Sequence, residues 1–207
     1  MNLFKTTEQN KTYWKQRKIN WKEHYQNPEH PHRLLIVKVL KSLDWLSLIE
    51  IGVGGGANLI NITKYIQGKQ LGGIDINSDA IELCRKTFQG GLFKVNSADN
   101  IMLSDKSTDV VLSDMCLIYV SPNKIKKYIN EIKRIARKYI VLCEFHSMSW
   151  WNRLALKINT GYNAYNWKQL LEQQGFYDIM LYKLKEQDWS GGNPQKTFAH
   201  LIVAKLI

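Results

Sequence analysis

The sequence contains few of the residues that mark secreted, zinc-binding or membrane-spanning proteins. Its 207 residues include only three cysteines, Cys84, Cys116 and Cys143, whose wide spacing fits neither a disulfide framework nor a zinc knuckle. No apolar run reaches the roughly 20 residues that a transmembrane helix needs. The first residues, Met1 to Lys5, lack the apolar core of a signal peptide. We therefore expect a cytoplasmic protein without a membrane span.

Acidic residues are also scarce, at 18 against 29 lysines and arginines, which gives a net charge of +11. Such an excess is compatible with a nucleic-acid partner. The basic residues are mostly lysine, however, and they are spread over the whole chain without an arginine cluster. Nucleic-acid binding is therefore possible but not favoured. The length fits one domain with a single core.

One stretch organises the rest of the chain. An apolar run, Leu48 to Val53, ends in a glycine cluster that includes Gly52, Gly54 and Gly56. A helical pattern follows at once. A glycine turn between strand and helix lets the backbone approach a ligand, and the helix start adds unpaired N–H groups. A second apolar strand ends near Asp75, where a carboxylate can accept hydrogen bonds from both ribose hydroxyls. The pattern predicts a site for an adenosine-type cofactor.

Glu50 distinguishes between two cofactor classes. The spacing Gly52-x-Gly54-x-x-Ala57 also fits the dinucleotide fingerprint. A carboxylate at Glu50 would repel a pyrophosphate, whereas it would attract the sulfonium and ammonium groups of S-adenosylmethionine. The run from Glu50 to Gly56 resembles the E/D-x-G-x-G-x-G motif of the class I S-adenosylmethionine-dependent methyltransferases. The cofactor implied by the resemblance is S-adenosyl-L-methionine.

The resemblance covers roughly residues 48–206 and implies an α/β fold. We expect a seven-stranded, mostly parallel sheet with helices on both faces and an antiparallel C-terminal strand. Residues 1–46 would form an N-terminal helical extension or lid, and residues 47–207 the Rossmann-like methyltransferase domain. The step Gly175-Phe176 resembles the family's entry into the last two strands, which a turn over residues 191–194 would join.

The resemblance also implies the residues that hold the cofactor. The loop after the third strand would hold the adenine, and its amine contact is left open between Ser97 and Asp99. The cofactor-binding residues are expected to be Glu50, Gly52, Gly54, Gly56, Asp75, Ile76, Ser97, Ala98 and Asp99.

Two catalytic candidates follow from strand ends. Asp114 closes the fourth predicted strand, which faces the methyl donor in the family, and His146 follows the fifth. An imidazole there could take a proton from the acceptor, while a hydrogen-bonded structural histidine is the alternative. No metal site is expected, because His30 and His32 have no third ligand nearby in the sequence. A lid or substrate contact fits those two histidines better.

Several local predictions concern the rest of the chain. Residues 8–26 are predicted to form one basic, aromatic helix that either covers the site or packs on the domain. Pro31 is expected to begin the next helix, and Ser121 to cap a later one. Residues 147–166 are predicted to be an irregular connection whose aromatic residues form one wall of the substrate site.

The predicted function is methyl transfer from S-adenosylmethionine to a small molecule or to a lipid- or sugar-linked metabolite. An RNA methyltransferase and a non-catalytic cofactor-binding subunit are the alternatives, and a dehydrogenase is a distant fourth. No Asn/Asp-Pro-Pro-Tyr/Phe motif occurs, which argues against methylation of exocyclic amines of nucleobases by that route. The sequence leaves the oligomeric state open.

Overall fold

A computed structural model of the chain describes residues 5–26, 29–189 and 198–206. The predicted turn over residues 191–194 lies outside these ranges. Two 3₁₀ turns, Leu117–Tyr119 and Glu186–Asp188, supplement the regular elements. In chain order the helices and strands are α1 (Thr7–Gln16), α2 (Trp21–Tyr25), α3 (Pro31–Lys41), β1 (Ser47–Ile51), α4 (Ala57–Tyr65), β2 (Gln70–Asp75), α5 (Ser78–Thr87), β3 (Leu92–Val95), β4 (Thr108–Asp114), α6 (Ile125–Ile135), β5 (Ala136–Phe145), α7 (Trp150–Thr160), α8 (Trp167–Gln173), β6 (Tyr177–Lys183) and β7 (Ala199–Lys205).

The strands form one seven-stranded sheet in the order β3-β2-β1-β4-β5-β7-β6. The pairs β2–β3, β1–β2, β1–β4 and β4–β5 are parallel, whereas β7 runs antiparallel to both β5 and β6. The topology confirms the fold class expected from the sequence. The order reverses direction between β1 and β4, which is where open α/β sheets bind ligands.

The central strands are apolar on both faces because helices cover both sides of the sheet. In β4, Val110, Val111 and Leu112 are all completely buried. Val110 and Leu112 belong to one core cluster and Val111 to the other. The two cores hold the sheet rigid, so that the carboxyl ends of its strands form a fixed edge.

The N-terminal region differs from its prediction. Residues 8–26 form two helices, not one, and the break has a specific cause. The Asn77 side-chain amide donates to the Trp14 carbonyl (2.8 Å) and to the Arg17 carbonyl (2.9 Å), which takes up carbonyls at the end of α1. The Asn20 side chain then caps α2 by accepting from the Glu23 N–H. A distant side chain that ends a helix is invisible to a periodicity argument.

Two further local predictions are wrong. Residues 147–166 contain an 11-residue helix, α7, which Ser149 caps and Gly161 ends with a φ of 77°. Ser121 does not cap α6, since that helix begins at Ile125. Instead Ser121 and Thr7 pair reciprocally, each hydroxyl accepting from the other residue's backbone N–H. Pro31 does begin α3, as predicted.

Within the described ranges, none of the helices combines the length and apolar character that crossing a bilayer would require.

Candidate active site

A cavity of about 350 Å³ lies at the carboxyl ends of β1, β2 and β4. The glycine turn after β1 and the loops after β2, β3 and β4 form its floor and sides. Helices α1 and α2 and the start of α3 cover it. The residues that line the cavity include Lys11, Trp14, Trp21, His30, His32, Arg33, Glu50, Gly52, Asn58, Asp75, Ile76, Ser97, Ala98, Asp114, Met115, Cys116 and Trp189.

The glycine turn adopts a backbone that other residues rarely reach. Gly52, Gly54 and Gly56 have φ values of 67°, 52° and 81°. A Cβ on Gly52 would lie 2.5 Å from the Cys116 sulfur. The turn therefore needs glycine at this position for conformation and for space.

We expect Gly52→Ala to lower the free energy of unfolding by about 3 kcal/mol, because it combines left-handed strain with a clash. Gly68→Ala is the matched control, since Gly68 has a φ of 71° and a Cβ added there would meet nothing within 4 Å. That control should lose only about 1 kcal/mol. Chemical denaturation of both variants measures the difference, and equal losses would refute the steric argument.

Asp75 ends β2 at the cavity wall, as predicted. Its two carboxylate oxygens accept from the Gly54 N–H (3.0 Å) and the Asn77 N–H (2.9 Å). Burial raises the pKa of Asp75, and these hydrogen bonds oppose the increase. The contact fixes the carboxylate against the glycine turn, and Ile76 lines the cavity beside it.

The loop after β3 carries both candidates for the adenine contact, Ser97 and Asp99, and they differ in whether they line the cavity. Ser97 and Ala98 line the cavity. Asp99 is not among the described lining residues, and its carboxylate accepts from Lys11 Nζ (2.8 Å) and from the Ser97 hydroxyl (2.5 Å). The carboxylate of Asp99 therefore fastens α1 to this loop.

Glu50 lies buried in β1 beneath the cavity. Its Oε1 accepts from Asn58 Nδ2 at 2.7 Å. Its Oε2 is buried and has no hydrogen-bond partner among the residues that the structure describes. Burial raises the pKa of Glu50 to about 8, against the lowering effect of the Asn58 hydrogen bond. A cation in the cavity would supply the missing partner and favour the carboxylate.

Asp114 closes β4 beside Glu50 and is surrounded by donors. Its Oδ2 lies 2.9 Å from His32 Nε2, and it accepts from Arg33 Nη1 (3.1 Å) and Asn58 Nδ2 (3.0 Å). Burial would raise the pKa of Asp114, but the charges and hydrogen bonds of His32 and Arg33 hold it well below its usual range. Its Oδ1 is buried without a partner in the described part of the chain.

Two histidines extend this arrangement into the cavity. The Nδ1 atoms of His30 and His32 are 2.5 Å apart. Trp189 stacks on the His32 ring at 4.6 Å and meets the His30 ring edge-on at 4.8 Å. The chain His30–His32–Asp114 therefore runs from the cavity lining to the end of β4. The close spacing of the two histidines is visible in the sequence, but their link to Asp114 is not.

His32, Asp114 and Cys143 also bring three potential metal-binding atoms within 4.8 Å of one another. Burial raises the pKa of the Cys143 thiol well above its usual value, so the sulfur keeps its proton. Arg33 shares the same Asp114 oxygen as His32. A guanidinium on the same carboxylate suits a hydrogen-bond network better than a metal cation.

His146, the other predicted catalytic residue, is placed elsewhere. It is not among the described residues that line the cavity. Its Nδ1 accepts from the Trp167 N–H at 3.1 Å, and burial together with His200 lowers its pKa to about 4. Trp150 and Trp151 also lie outside the described lining. The role of His146 stays a prediction.

Sequence reasoning missed Glu144, which organises the loop after β4. This completely buried carboxylate accepts from the Ser113 hydroxyl and from three successive backbone N–H groups, those of residues 116–118. Burial raises the pKa of Glu144 to about 7, opposed by these bonds. The loop includes Met115, whose φ of 50° is strained for a residue with a side chain. The sequence does carry a signal for Glu144, an acidic residue inside an apolar strand, which is the same signal that identified Glu50.

We expect Glu144→Gln to lower the free energy of unfolding by about 3 kcal/mol, because the new amide NH₂ would face donors that need an acceptor. Thermal and chemical denaturation measure this loss. Glu172→Gln on α8 changes the same group at an exposed position and should leave stability within about 0.5 kcal/mol of the wild type. A Glu144→Gln protein as stable as that control would show that the four donors do not depend on the carboxylate.

The comparisons with known proteins agree with this geometry. Residues 48–139 match the model of a family described as a methyltransferase domain. Magnesium protoporphyrin IX methyltransferase from Synechocystis PCC 6803, solved with S-adenosylhomocysteine, is 14% identical, with a TM-score of 0.66 over 97% of this chain and 99% of that one. A SAM-dependent methyltransferase from Archaeoglobus fulgidus is 20% identical, with a TM-score of 0.59 over 84% and 94%.

A third structure is a putative methyltransferase from Haloferax volcanii in complex with the Trm112 activator, 15% identical with a TM-score of 0.63 over 85% and 89% of the two chains. At these identities the structural likeness shows the fold alone. No curated protein sequence matches the chain significantly.

The fold and the matched domain define an α/β enzyme of the methyltransferase class. Residues 48–139 carry a methyltransferase domain, and the matches agree with the resemblance to the class I S-adenosylmethionine-dependent methyltransferases and with S-adenosyl-L-methionine as the cofactor. Both conclusions confirm the sequence-based predictions.

Proposed function

We propose that this methyltransferase acts on a small-molecule acceptor that loses a proton from a hydroxyl or similar group, and that the His30–His32–Asp114 chain receives this proton. The single observation that carries the proposal is that chain itself: two imidazoles in contact at 2.5 Å, the inner one 2.9 Å from a buried carboxylate. A carboxylate that orients an imidazole in a cavity wall is the arrangement of a general base.

In this proposal Asp114 positions His32 and does not itself take the proton. A carboxyl whose pKa is held below its usual range is a poor proton acceptor at neutral pH. It keeps its negative charge, however, and so stabilises an imidazolium on His32. Asp114, a catalytic candidate from the sequence, therefore acts here as a positioning residue, and the histidines supply the base.

The opposite part of the cavity suits the cofactor. Two buried acceptors, Glu50 Oε2 and Asp114 Oδ1, lack partners among the described residues. A ligand with an ammonium and a sulfonium group would compensate both. The residues proposed to hold it are Glu50, Gly52, Gly54, Gly56, Asp75, Ile76, Ser97 and Ala98, with Asp99 supporting Ser97. When bound, S-adenosylmethionine supplies an activated methyl group, so the protein's main contribution is alignment and removal of the acceptor's proton.

The cover of the cavity favours a small acceptor over a polynucleotide, because α1, α2 and the start of α3 lie over it. The cover is also fixed in place: Asn10 donates to the Tyr119 carbonyl at 2.8 Å, and Lys11 pairs with Asp99 at 2.8 Å. Lipid- or sugar-linked metabolites remain within this proposal if their reactive end enters the cavity.

A second candidate function is methyl transfer that needs a partner chain. The Haloferax volcanii protein of the same fold was solved with an activator protein. Under this alternative the chain would bind S-adenosylmethionine alone but show no turnover without a partner.

The test has two steps. Calorimetry with S-adenosylmethionine measures cofactor binding. A screen with methyl-labelled cofactor then offers metabolite, lipid and total RNA fractions to the purified protein. Label in a metabolite or lipid fraction supports the proposal. Label in RNA that declines steeply with salt would replace it with the RNA alternative. Binding without any labelled product, restored by added cell protein, would favour the partner-dependent alternative.

A further inference from the structure

Helix α7 turns its apolar side outward, which is unusual for a helix on a globular domain. Within α7 only Leu156 is buried among the described residues. Trp150 and Trp151 are 52% and 66% exposed, and their rings stack at 3.7 Å. We call the exposed apolar residues of this region the α7 strip: Met148, Trp150, Trp151, Leu154 and Ile158.

A basic groove adjoins the α7 strip. A depression of about 380 Å³ lies between the start of α6, α7 and α8. Lys126, Arg153 and Lys157 line it, and no aspartate or glutamate occurs among its described lining residues. Arg153 donates to the carbonyls of Ser147 and Met148, which holds its guanidinium beside the exposed end of the helix.

The environment of Lys157 indicates that the groove favours an anionic ligand. Its Nζ donates to the Gly161 carbonyl at 2.7 Å. Burial lowers the pKa of Lys157, and no carboxylate of the described residues offsets this. A cation held in a partly buried groove without an acid beside it is stabilised by an anion from outside. The groove and the α7 strip together therefore combine an apolar surface with a cationic border.

We propose that the α7 strip and its basic groove dock this enzyme on the surface of an anionic phospholipid bilayer. Exposed tryptophans flanked by Lys and Arg are typical of helices that lie in the membrane interface. The net charge of +11 adds long-range attraction to anionic lipid. A protein partner fits less well, because lysine is depleted from protein–protein interfaces.

The location of α7 gives the docking a purpose. Helix α7 follows β5 directly, so it begins at the carboxyl edge of the sheet, where the cavity also lies. An enzyme docked by this edge would have its active site close to amphipathic molecules in the bilayer. The docking itself does not depend on the acceptor proposed above.

The experiment measures binding of the full chain to vesicles by co-sedimentation. One set contains phosphatidylcholine alone and the other equal parts of phosphatidylcholine and phosphatidylglycerol. Wild-type protein should bind the anionic set and not the neutral set. Trp150→Ser with Trp151→Ser should weaken binding by about tenfold or more, because two large apolar side chains no longer enter the interface. Met102→Ser, which removes a 67% exposed apolar residue elsewhere, should change binding less than about twofold.

A second pair of variants measures how much the basic groove contributes to vesicle binding. Lys126→Glu in the groove should weaken binding by about fivefold or more, while the equal charge change Lys38→Glu on α3 should have less than half that effect. Wild-type and variant proteins should bind S-adenosylmethionine alike, which excludes misfolding. Binding that ignores both Trp replacements, or that is equal on neutral vesicles, would overturn the proposal. Self-association of the wild type that the Trp replacements abolish, without vesicle binding, would show that a second copy covers the strip.

Discussion

Replacing His32 with asparagine is expected to lower kcat by about 10²- to 10⁴-fold, the contribution of a positioned general base. Asparagine can still donate to Asp114, but it cannot take up the proton that enters the chain through His30, because it has no second ring nitrogen to face that residue. The cofactor should bind nearly as before, because His32 contacts Asp114 Oδ2 and not the orphaned oxygens. Steady-state kinetics with the acceptor found in the labelling screen, together with calorimetry for the cofactor, measure the two effects separately.

Two other histidines serve as comparisons. His24→Asn changes an exposed residue of α2 and should retain close to wild-type kcat. His146→Ala tests the rival base directly. If His146→Ala loses activity and His32→Asn does not, the proton goes to the end of β5 and our assignment is wrong.

Replacing Glu50 with glutamine is expected to raise the Kd for S-adenosylmethionine by about 10- to 100-fold, since a hydrogen bond to a charged group is worth about 1.5–3 kcal/mol. The side chain keeps its shape and its hydrogen bond with Asn58, so the loss reports the charge. Glu82→Gln, at an exposed position on α5, should leave the Kd unchanged. An unchanged Kd in the Glu50 variant would mean that the buried carboxylate does not face the cofactor's cations.

The same substitution has a pH signature. Because burial raises the pKa of Glu50 to about 8, the ligand-free carboxyl is mostly protonated at neutral pH. Binding of a cation favours the carboxylate, so the wild type should release close to one proton per cofactor bound, and Glu50→Gln none. Calorimetry in buffers of different ionisation enthalpy measures this release.

The buried Glu50 carboxyl should also make the stability of the ligand-free protein depend on pH. The folded pKa of Glu50 lies above its ordinary value of 4.5, so the carboxyl's stabilising contribution is present below that pH and is lost as pH increases through about 8. Glu50→Gln should therefore be more stable than the wild type near pH 9 and similar to it near pH 5.

The cofactor side of the site was predictable because its signals are local. Glu50, Gly52 and Gly54 lie within a few residues, and the chemistry follows from charge and from the conformational freedom of glycine. Asp75 was predictable because parallel strands end at one edge. The seven-stranded sheet followed from the resemblance and is confirmed.

The acceptor side was not predictable, since it depends on long-range contacts. His32 and Asp114 are 82 positions apart and meet only when α3 packs against the end of β4. The break between α1 and α2 depends on Asn77, about 60 positions away. Helix α7 was missed although Trp150, Leu154 and Ile158 keep helical spacing, because the aromatic residues of this segment were interpreted as a substrate wall.

The position of β7 has a consequence for synthesis of the chain. Strand β6 pairs with β7 alone in the described sheet, and β7 separates it from β5. A nascent chain that has not yet reached residues 199–205 therefore carries β6 with nothing to join, and the outer edge of β5 stays open. Such an edge invites pairing with other chains. We expect ribosome-bound intermediates of this length to depend on chaperones until the last strand inserts.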